Sequence, residues 1–446
     1  MRILYIAAGA GDMFCGLCAR DGILVNELLS IGEDVQFLPL YTPVRTDGYE
    51  FSHDAPVYFG GINVYLQQMS AFWRMVPPAL DRVLDNRRLL KWASRFAVST
   101  DSRILGPMTV SMLSGKLGRQ RKELERLLAH VGRHRPEHLP PPFRRGLGGG
   151  VPVDVVNLTT SLLSGLAPEM KSRLGVPVVC NVQGEDSFLD TMPEPFASQS
   201  RELIAQNSAY IDLFISPSEA YADKMAGYIG ISRDRFRVVR SGIDASRFAR
   251  VAPRPASPFG IGFLSAITAN KGIDILVDAF IDLVRGRGRE AVLTVAGQIF
   301  ARPLWQDCLK RIAEAGLDDR FIFLGELEFE EKVRFLQGIS VFVQPSRITE
   351  SRGIAAMEAM ASGVPVVVPS TGVFPELVAA TGGGITVSPE DPAAIADALE
   401  QLMDAPEQAD LLGSAASSGI ASHYSARGMA KGVGAVYREA NCSPAE

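Results

Sequence analysis

The chain has 446 residues, enough for two or three domains that each bury a core of their own. Hydrophobic residues make up 47% and charged residues 21%, and the net charge is −5, which excludes the strongly basic surface of a general nucleic-acid binder. Five cysteines do not make a disulfide framework, no apolar run reaches the ~18 residues of a membrane span, and the N-terminus is broken too early for a signal peptide. A cytoplasmic protein is expected.

Residues 2–8 are apolar and β-branched and predict a buried first strand, followed by the loop Gly9-Ala10-Gly11-Asp12-Met13-Phe14-Cys15-Gly16. Phe14 stands where a dinucleotide fingerprint needs its third glycine, and no acid ends the second strand at 35–40, so a nicotinamide cofactor is not expected. Between the strands, 19–31 has helical spacing and Gly32 ends it. Cys15-Gly16-Leu17-Cys18 lacks the two further ligands of a zinc site and a redox context. Phe59-Gly60-Gly61-Ile62-Asn63 offers a second Gly-containing loop.

Residues 50–150 break the strand–helix rhythm. Helices are predicted at 63–75, 78–98 and 114–134, then a Pro-rich stretch at 136–142 and a Gly-rich one at 146–150, together a helical insertion in the first domain. Residues 114–146 carry nine Lys/Arg against three Asp/Glu. That is either a solvated helix face or a contact for an anionic membrane surface or phosphorylated acceptor. His130, His134 and His138 are spaced by four, but Pro136 interrupts the helix a metal face would need.

Strands follow at 153–158, 176–181 and 213–216, with helices between. After the Pro-rich segment 249–258, the best linker, a second series has strands at 259–264, 291–295, 321–324, 341–343, 364–368 and 384–387. This alternation predicts an α/β protein with parallel sheets covered on both faces. The domains are expected at 1–250 and 251–425, with a last amphipathic helix near 426–446 that packs back on the first.

The most informative segment is Pro345-Ser346-Arg347-Ile348-Thr349-Glu350-Ser351-Arg352-Gly353-Ile354, followed by a helix ending at Gly363. A strand runs through a polar loop into a helix N-terminus, whose unpaired N–H groups and dipole suit a diphosphate. Gly353 lets a ligand approach the backbone. Glu358 lies in an otherwise apolar helix, where a partly buried carboxylate needs a partner.

Glu350-x7-Glu358 followed by Ala-Met-Ala-Ser-Gly-Val-Pro-Val-Val resembles the retaining GT-B glycosyltransferases of family 4. Ser216-Pro217-Ser218-Glu219, Ser241-Gly242-Ile243-Asp244, Asn270-Lys271-Gly272, Gly372-Val373-Phe374-Pro375-Glu376 and Ser388-Pro389-Glu390-Asp391-Pro392 are similar to further segments of that family. The match extends over most of 150–440 and more loosely over the first 40 residues. The resemblance implies two doubly wound, Rossmann-like domains facing a cleft, and a nucleotide-sugar donor held mainly by the second. It implies that Glu350 contacts the transferred sugar, Glu358 hydrogen-bonds the ribose hydroxyls, and Lys271, with N–H groups of Ser351, Arg352, Gly353 and Ile354, neutralises the leaving diphosphate. Gly11 would line the acceptor side and approach the donor phosphates. No metal or other cofactor is implied, and there is no Asp-x-Asp pair.

Three departures fall on the chemistry. Ala266 stands where the family has an arginine, for which Arg240, Arg347 or, by preference, Arg352 would compensate. Gln183, in Gln183-Gly184-Glu185-Asp186, replaces the family's histidine; it hydrogen-bonds a sugar or acceptor but cannot act as a base. Ser351-Arg352 replaces the usual Gly-Phe. A retaining transferase acting on a glycan, lipid or small-molecule acceptor is therefore set beside a sugar-nucleotide epimerase or hydrolase and a non-catalytic nucleotide-sugar or carbohydrate-binding protein. For the transferase, a lipid- or polysaccharide-linked acceptor and peripheral contact with the inner face of the membrane are expected.

Overall fold

The computed structural model describes residues 1–8, 16–40, 67–68, 70, 102–133, 153–250 and 258–442. The Gly11 loop, Gly60-Gly61, the helices expected at 63–75 (apart from 67–68 and 70) and 78–98, His134, His138 and residues 251–257 of the linker lie outside them. The chain divides into two compact units, Met1–Val239 with Met429–Glu446, and Arg240–Gly428.

The first unit holds six parallel strands: β1 (Arg2–Ala7), β2 (Asp34–Pro39), β3 (Val155–Leu158), β4 (Val178–Asn181), β5 (Leu213–Ser216) and β6 (Phe236–Val238), in the order β2-β1-β3-β4-β5-β6. Their side chains alternate between two buried faces. Leu4, Ile6, Val156, Leu158, Val178 and Cys180 enter one core. Ile3, Tyr5, Val155 and Val179 enter another, with Met429, Val433, Val436 and Tyr437 of the last helix, Ala426–Cys442. Burial on both faces explains why these strands read as continuous apolar runs rather than as alternations. β6 spans three residues, too few for a periodic signal, and was not expected from the sequence.

In the insertion, the helix expected at 114–134 is Arg121–Arg133, and another, Ser102–Leu113, precedes it. The break has a steric cause. A Cβ on Gly118 would lie 1.9 Å from the Ser111 carbonyl oxygen, and Gly115 has φ +53°. Lys116, Leu117, Arg119 and Arg121 are exposed there. Among the described residues no helix is long and apolar enough to cross a membrane.

The second unit holds β7 (Phe259–Leu264), β8 (Ala291–Ala296), β9 (Phe321–Gly325), β10 (Val341–Val343), β11 (Val366–Pro369) and β12 (Gly384–Val387), all parallel, in the order β12-β11-β10-β7-β8-β9. The order reverses between β7 and its neighbour β10. In an open parallel sheet this switch point leaves a crevice at the strand C-termini, where ligands bind. The loops that leave β7 and β10 there are 265–272 and 344–353.

Candidate donor site in the second unit

The two switch-point loops are held together by backbone contact and by one arginine. Gly272 has φ +73°, and a Cβ on it would lie 2.0 Å from the Pro345 carbonyl oxygen, so only glycine permits this approach. Arg347 N–H donates to the Asn270 carbonyl at 2.9 Å. Its guanidinium donates to both oxygens of Asp274 at 2.8 and 2.7 Å, to Ala269 O at 2.7 Å and to Glu390 at 3.0 Å. Burial pushes the Asp274 carboxyl up, but the Arg347 bonds outweigh it and hold the group below the usual carboxylate range. Arg347 is thus committed to joining the loops, which removes it as a stand-in for the arginine replaced by Ala266. Arg240, another such residue, packs over the Tyr424 ring, 5.4 Å from its centroid.

This bracing brings Lys271 and Glu350 into an ion pair. The same carboxylate oxygen, Glu350 Oε1, accepts from Ser346 Oγ at 2.7 Å and from Gln344 Nε2 at 3.3 Å. The Glu350 main chain is pinned as well. Its carbonyl accepts Val373 N–H at 2.9 Å, and Gly372, at φ +64°, passes so close that a Cβ would lie 2.7 Å from that oxygen.

Three residues on, Gly353 caps the helix Ile354–Ala361 in the left-handed conformation, φ 66° and ψ 35°, and contributes no side-chain cap. The first-turn N–H groups are therefore not covered by a capping side chain and keep the positive end of the dipole. Ser351 is buried, and Arg352 and Ile354 are half-buried beside this turn. Glu358, one turn further, faces Lys332 of the helix Phe329–Gly338, Nζ to Oε1 2.8 Å. The pair is almost fully enclosed: Lys332 is 7% and Glu358 9% exposed. Lys332 Nζ also lies 5.3 and 5.7 Å from the Phe329 and Phe248 ring centroids, a cation–π setting.

Gln183 belongs to the first unit, just past β4. Its amide donates to the Thr159 carbonyl at 2.8 Å. Glu185 organises this turn: its carboxylate accepts from Thr160 Oγ1 at 2.8 Å, Ser161 N at 2.9 Å, Gln183 N at 2.6 Å and Gly184 N at 3.0 Å. Asp186 accepts from the Tyr221 hydroxyl and Lys224, both at 2.6 Å. Burial and the two neighbouring carboxylates push the Tyr221 phenol far up, so it stays a neutral donor.

Sequence reasoning singled out Lys271, Glu350, Glu358, Ser351, Arg352, Gly353 and Ile354, and all seven lie in the second unit, with Lys271 and Glu350 in direct contact. Lys332 and Gln344 were missed. The only signal for Lys332 was a lysine three and four residues before the buried Phe335 and Leu336 on one helix face.

Two family models match the chain: Glycosyltransferase Family 4 over residues 117–247, and Glycosyl transferases group 1 over 258–405. The lipopolysaccharide core biosynthesis mannosyltransferase LpsB of Rhizobium meliloti is 32% identical over 237 residues, 49% of this chain and 64% of the relative. The alpha-D-kanosaminyltransferase of Streptomyces kanamyceticus is 31% identical over 294 residues, 61% of this chain and 73% of the relative. The chain thus spans a little under two thirds of the length of the first and more of the second. The Anabaena protein Alr3699/HepE, solved in complex with UDP, superposes with a TM-score of 0.65 over 98% of this chain and 100% of that one, at 15% identity, which shows a shared fold. With its two six-stranded parallel sheets, the chain has the GT-B fold and belongs to the group 1, family 4 glycosyltransferases.

Proposed function

We propose that the chain is a retaining glycosyltransferase that moves a sugar from a nucleotide-sugar donor to a lipid- or polysaccharide-linked acceptor on the cytoplasmic side of a membrane. The observation that carries the reading is the Lys271–Glu350 pair across the two switch-point loops, with Glu350 on the loop that leads into an uncapped helix N-terminus. In this reading the donor diphosphate lies against Lys271 and the first-turn N–H groups. Negative charge grows on the leaving phosphate as the glycosidic bond breaks, and preorganised positive charge there lowers the barrier. Glu350, in the loop before the helix, takes hydroxyls of the transferred sugar, and Glu358, one turn into it, takes the ribose. Lys271 and the helix dipole supply the positive charge that a metal ion provides in other transferases, so transfer needs no metal. Gln183 and the Gly11 loop belong to the unit assigned to the acceptor.

Two observations support the donor class. HepE was solved with UDP and with UDP-glucose, and the relatives are named for transfer of mannose and kanosamine. The acceptor class draws on LpsB, named for lipopolysaccharide core biosynthesis, and on exposed Lys116, Leu117, Arg119 and Arg121 in the insertion.

The test is a thermal-shift series with UDP-, GDP-, ADP- and TDP-sugars, each beside its free nucleotide. A ligand at ~100 times its dissociation constant stabilises the fold by ~2.7 kcal/mol. A shift with one nucleotide family supports the reading and names the base. No shift with any at millimolar concentration overturns it. Once an acceptor is in hand, the anomeric configuration of the product decides retention.

A further inference from the structure

Resting on that reading, we propose that Gln344 and Ser346 are positioning residues that hold Glu350 aimed when Lys271 turns to the incoming diphosphate. In the structure three donors converge on one oxygen, Glu350 Oε1: Lys271 Nζ, Ser346 Oγ and Gln344 Nε2. The three are held in different ways. Lys271 ends a short 3-10 turn on a flexible four-carbon stem, and its side chain is 23% exposed. Gln344 and Ser346 are 4% and 2% exposed. They sit where β10 leaves the sheet, with Gln344 N–H bonded to the Val367 carbonyl and Ser346 N–H to the Gln344 carbonyl.

Lys271 therefore serves two anions that compete for it. Its ammonium neutralises Glu350 at rest, and the donor diphosphate, with more charge, attracts it away. A carboxylate that loses its cation loses its fixed orientation as well, unless other donors hold it. Gln344 and Ser346 are such donors, and they stay with the sheet when the lysine moves. Gln344 is otherwise an unfavourable residue in this place. It follows the apolar Val341–Val343, and its Oε1 is buried with no partner among the described residues. An apolar side chain would fill the position at lower cost. Apart from a 3.5 Å contact with Ser346 Oγ, the described contact its side chain makes is the one to Glu350.

The test uses the full chain and whichever of UDP-glucose, GDP-mannose, ADP-glucose and TDP-glucose the wild type cleaves, with the matching nucleoside diphosphate as the binding probe. Gln344→Met and Ser346→Ala each remove one donor. A hydrogen bond to a charged group is worth ~1.5–3 kcal/mol, so each is expected to lower turnover roughly 10- to 100-fold. The nucleoside diphosphate Kd stays within about twofold, because the phosphate contacts are kept. The double variant approaches the activity of Glu350→Gln. Ser346→Ala, the smaller change, covers the case in which Gln344→Met fails to fold. An active wild type whose folded variants keep full turnover, or lose turnover and diphosphate affinity in parallel, overturns the inference alone. A wild type that neither binds nor cleaves any of the four overturns the functional reading along with it.

Discussion

Lys332 and Glu358 form a buried ion pair, 2.8 Å between Nζ and Oε1, on two helices that join β9 to β10 and β10 to β11. Two charges taken out of water cost several kcal/mol, which their attraction repays only while both are present. Removing one partner takes this attraction from the other, which stays in the same enclosed site. Lys332→Met is therefore expected to destabilise the protein by ~3–5 kcal/mol, and Lys332→Met/Glu358→Leu by clearly less. Denaturant melts of the single and double variants check this, and a double variant no more stable than Lys332→Met contradicts it.

The contact between the two switch-point loops predicts an uneven response to the same substitution at two glycines. At Gly272 a methyl group meets the Pro345 carbonyl at 2.0 Å and φ is +73°. At Gly288 φ is +68° but nothing lies within 4 Å. Gly288→Ala carries only the left-handed strain, ~1 kcal/mol, whereas Gly272→Ala must also push the loops apart and is expected to cost at least ~3 kcal/mol. Its thermal loss should come with weaker nucleotide binding, and equal losses at the two sites would argue against the close approach.

Lys271→Met removes the side-chain cation assigned to the leaving diphosphate. By analogy with the loss of one preorganised transition-state donor, turnover should fall by roughly 100- to 1,000-fold. Steady-state kinetics beside Lys271→Arg, which keeps the charge and loses less, separate loss of charge from loss of shape.

If Lys271 and the helix N-terminus carry the charge of the leaving group, divalent metal is dispensable. Dialysis against EDTA should leave donor cleavage unchanged, and a loss restored by Mg²⁺ or Mn²⁺ would assign that charge to a metal.

The depressed Asp274 carboxyl links Arg347 to acid stability. Its folded pKa lies below the ordinary 3.8, so its stabilising contribution is present above about pH 4 and is lost as pH falls through the folded value. The gap in melting temperature between wild type and Asp274→Asn should be constant from pH 5 to 8 and narrow below pH 4. A gap that does not change with pH would mean the pair contributes nothing through charge.

Much of this architecture is legible in the chain because its causes are local. Doubly buried parallel strands must be short apolar runs, and eleven of the twelve strands lie within two residues of the segments read from such runs; β6 is absent from that reading, and β3, β4 and β11 each begin two residues later than read. Gly353 and Gly363 bound the Ile354–Ala361 helix because each takes a left-handed φ. Glu350, Glu358 and the anion-binding turn lie within nine residues of one another, so spacing alone relates them.

What only the tertiary structure decided are the partners. Lys332 meets Glu358 across 26 residues, Arg347 meets Asp274 across 73, and Lys271 meets Glu350 across 79. In the sequence Arg347 is one of three candidate arginines, Lys332 is a helix-surface lysine and Gln344 is the residue before a proline. Burial assigns each of them a partner, because a polar group removed from water must bond to whatever the sheet order places beside it. For Lys271 and Arg347, the parallel pairing of β7 with β10 settled that choice.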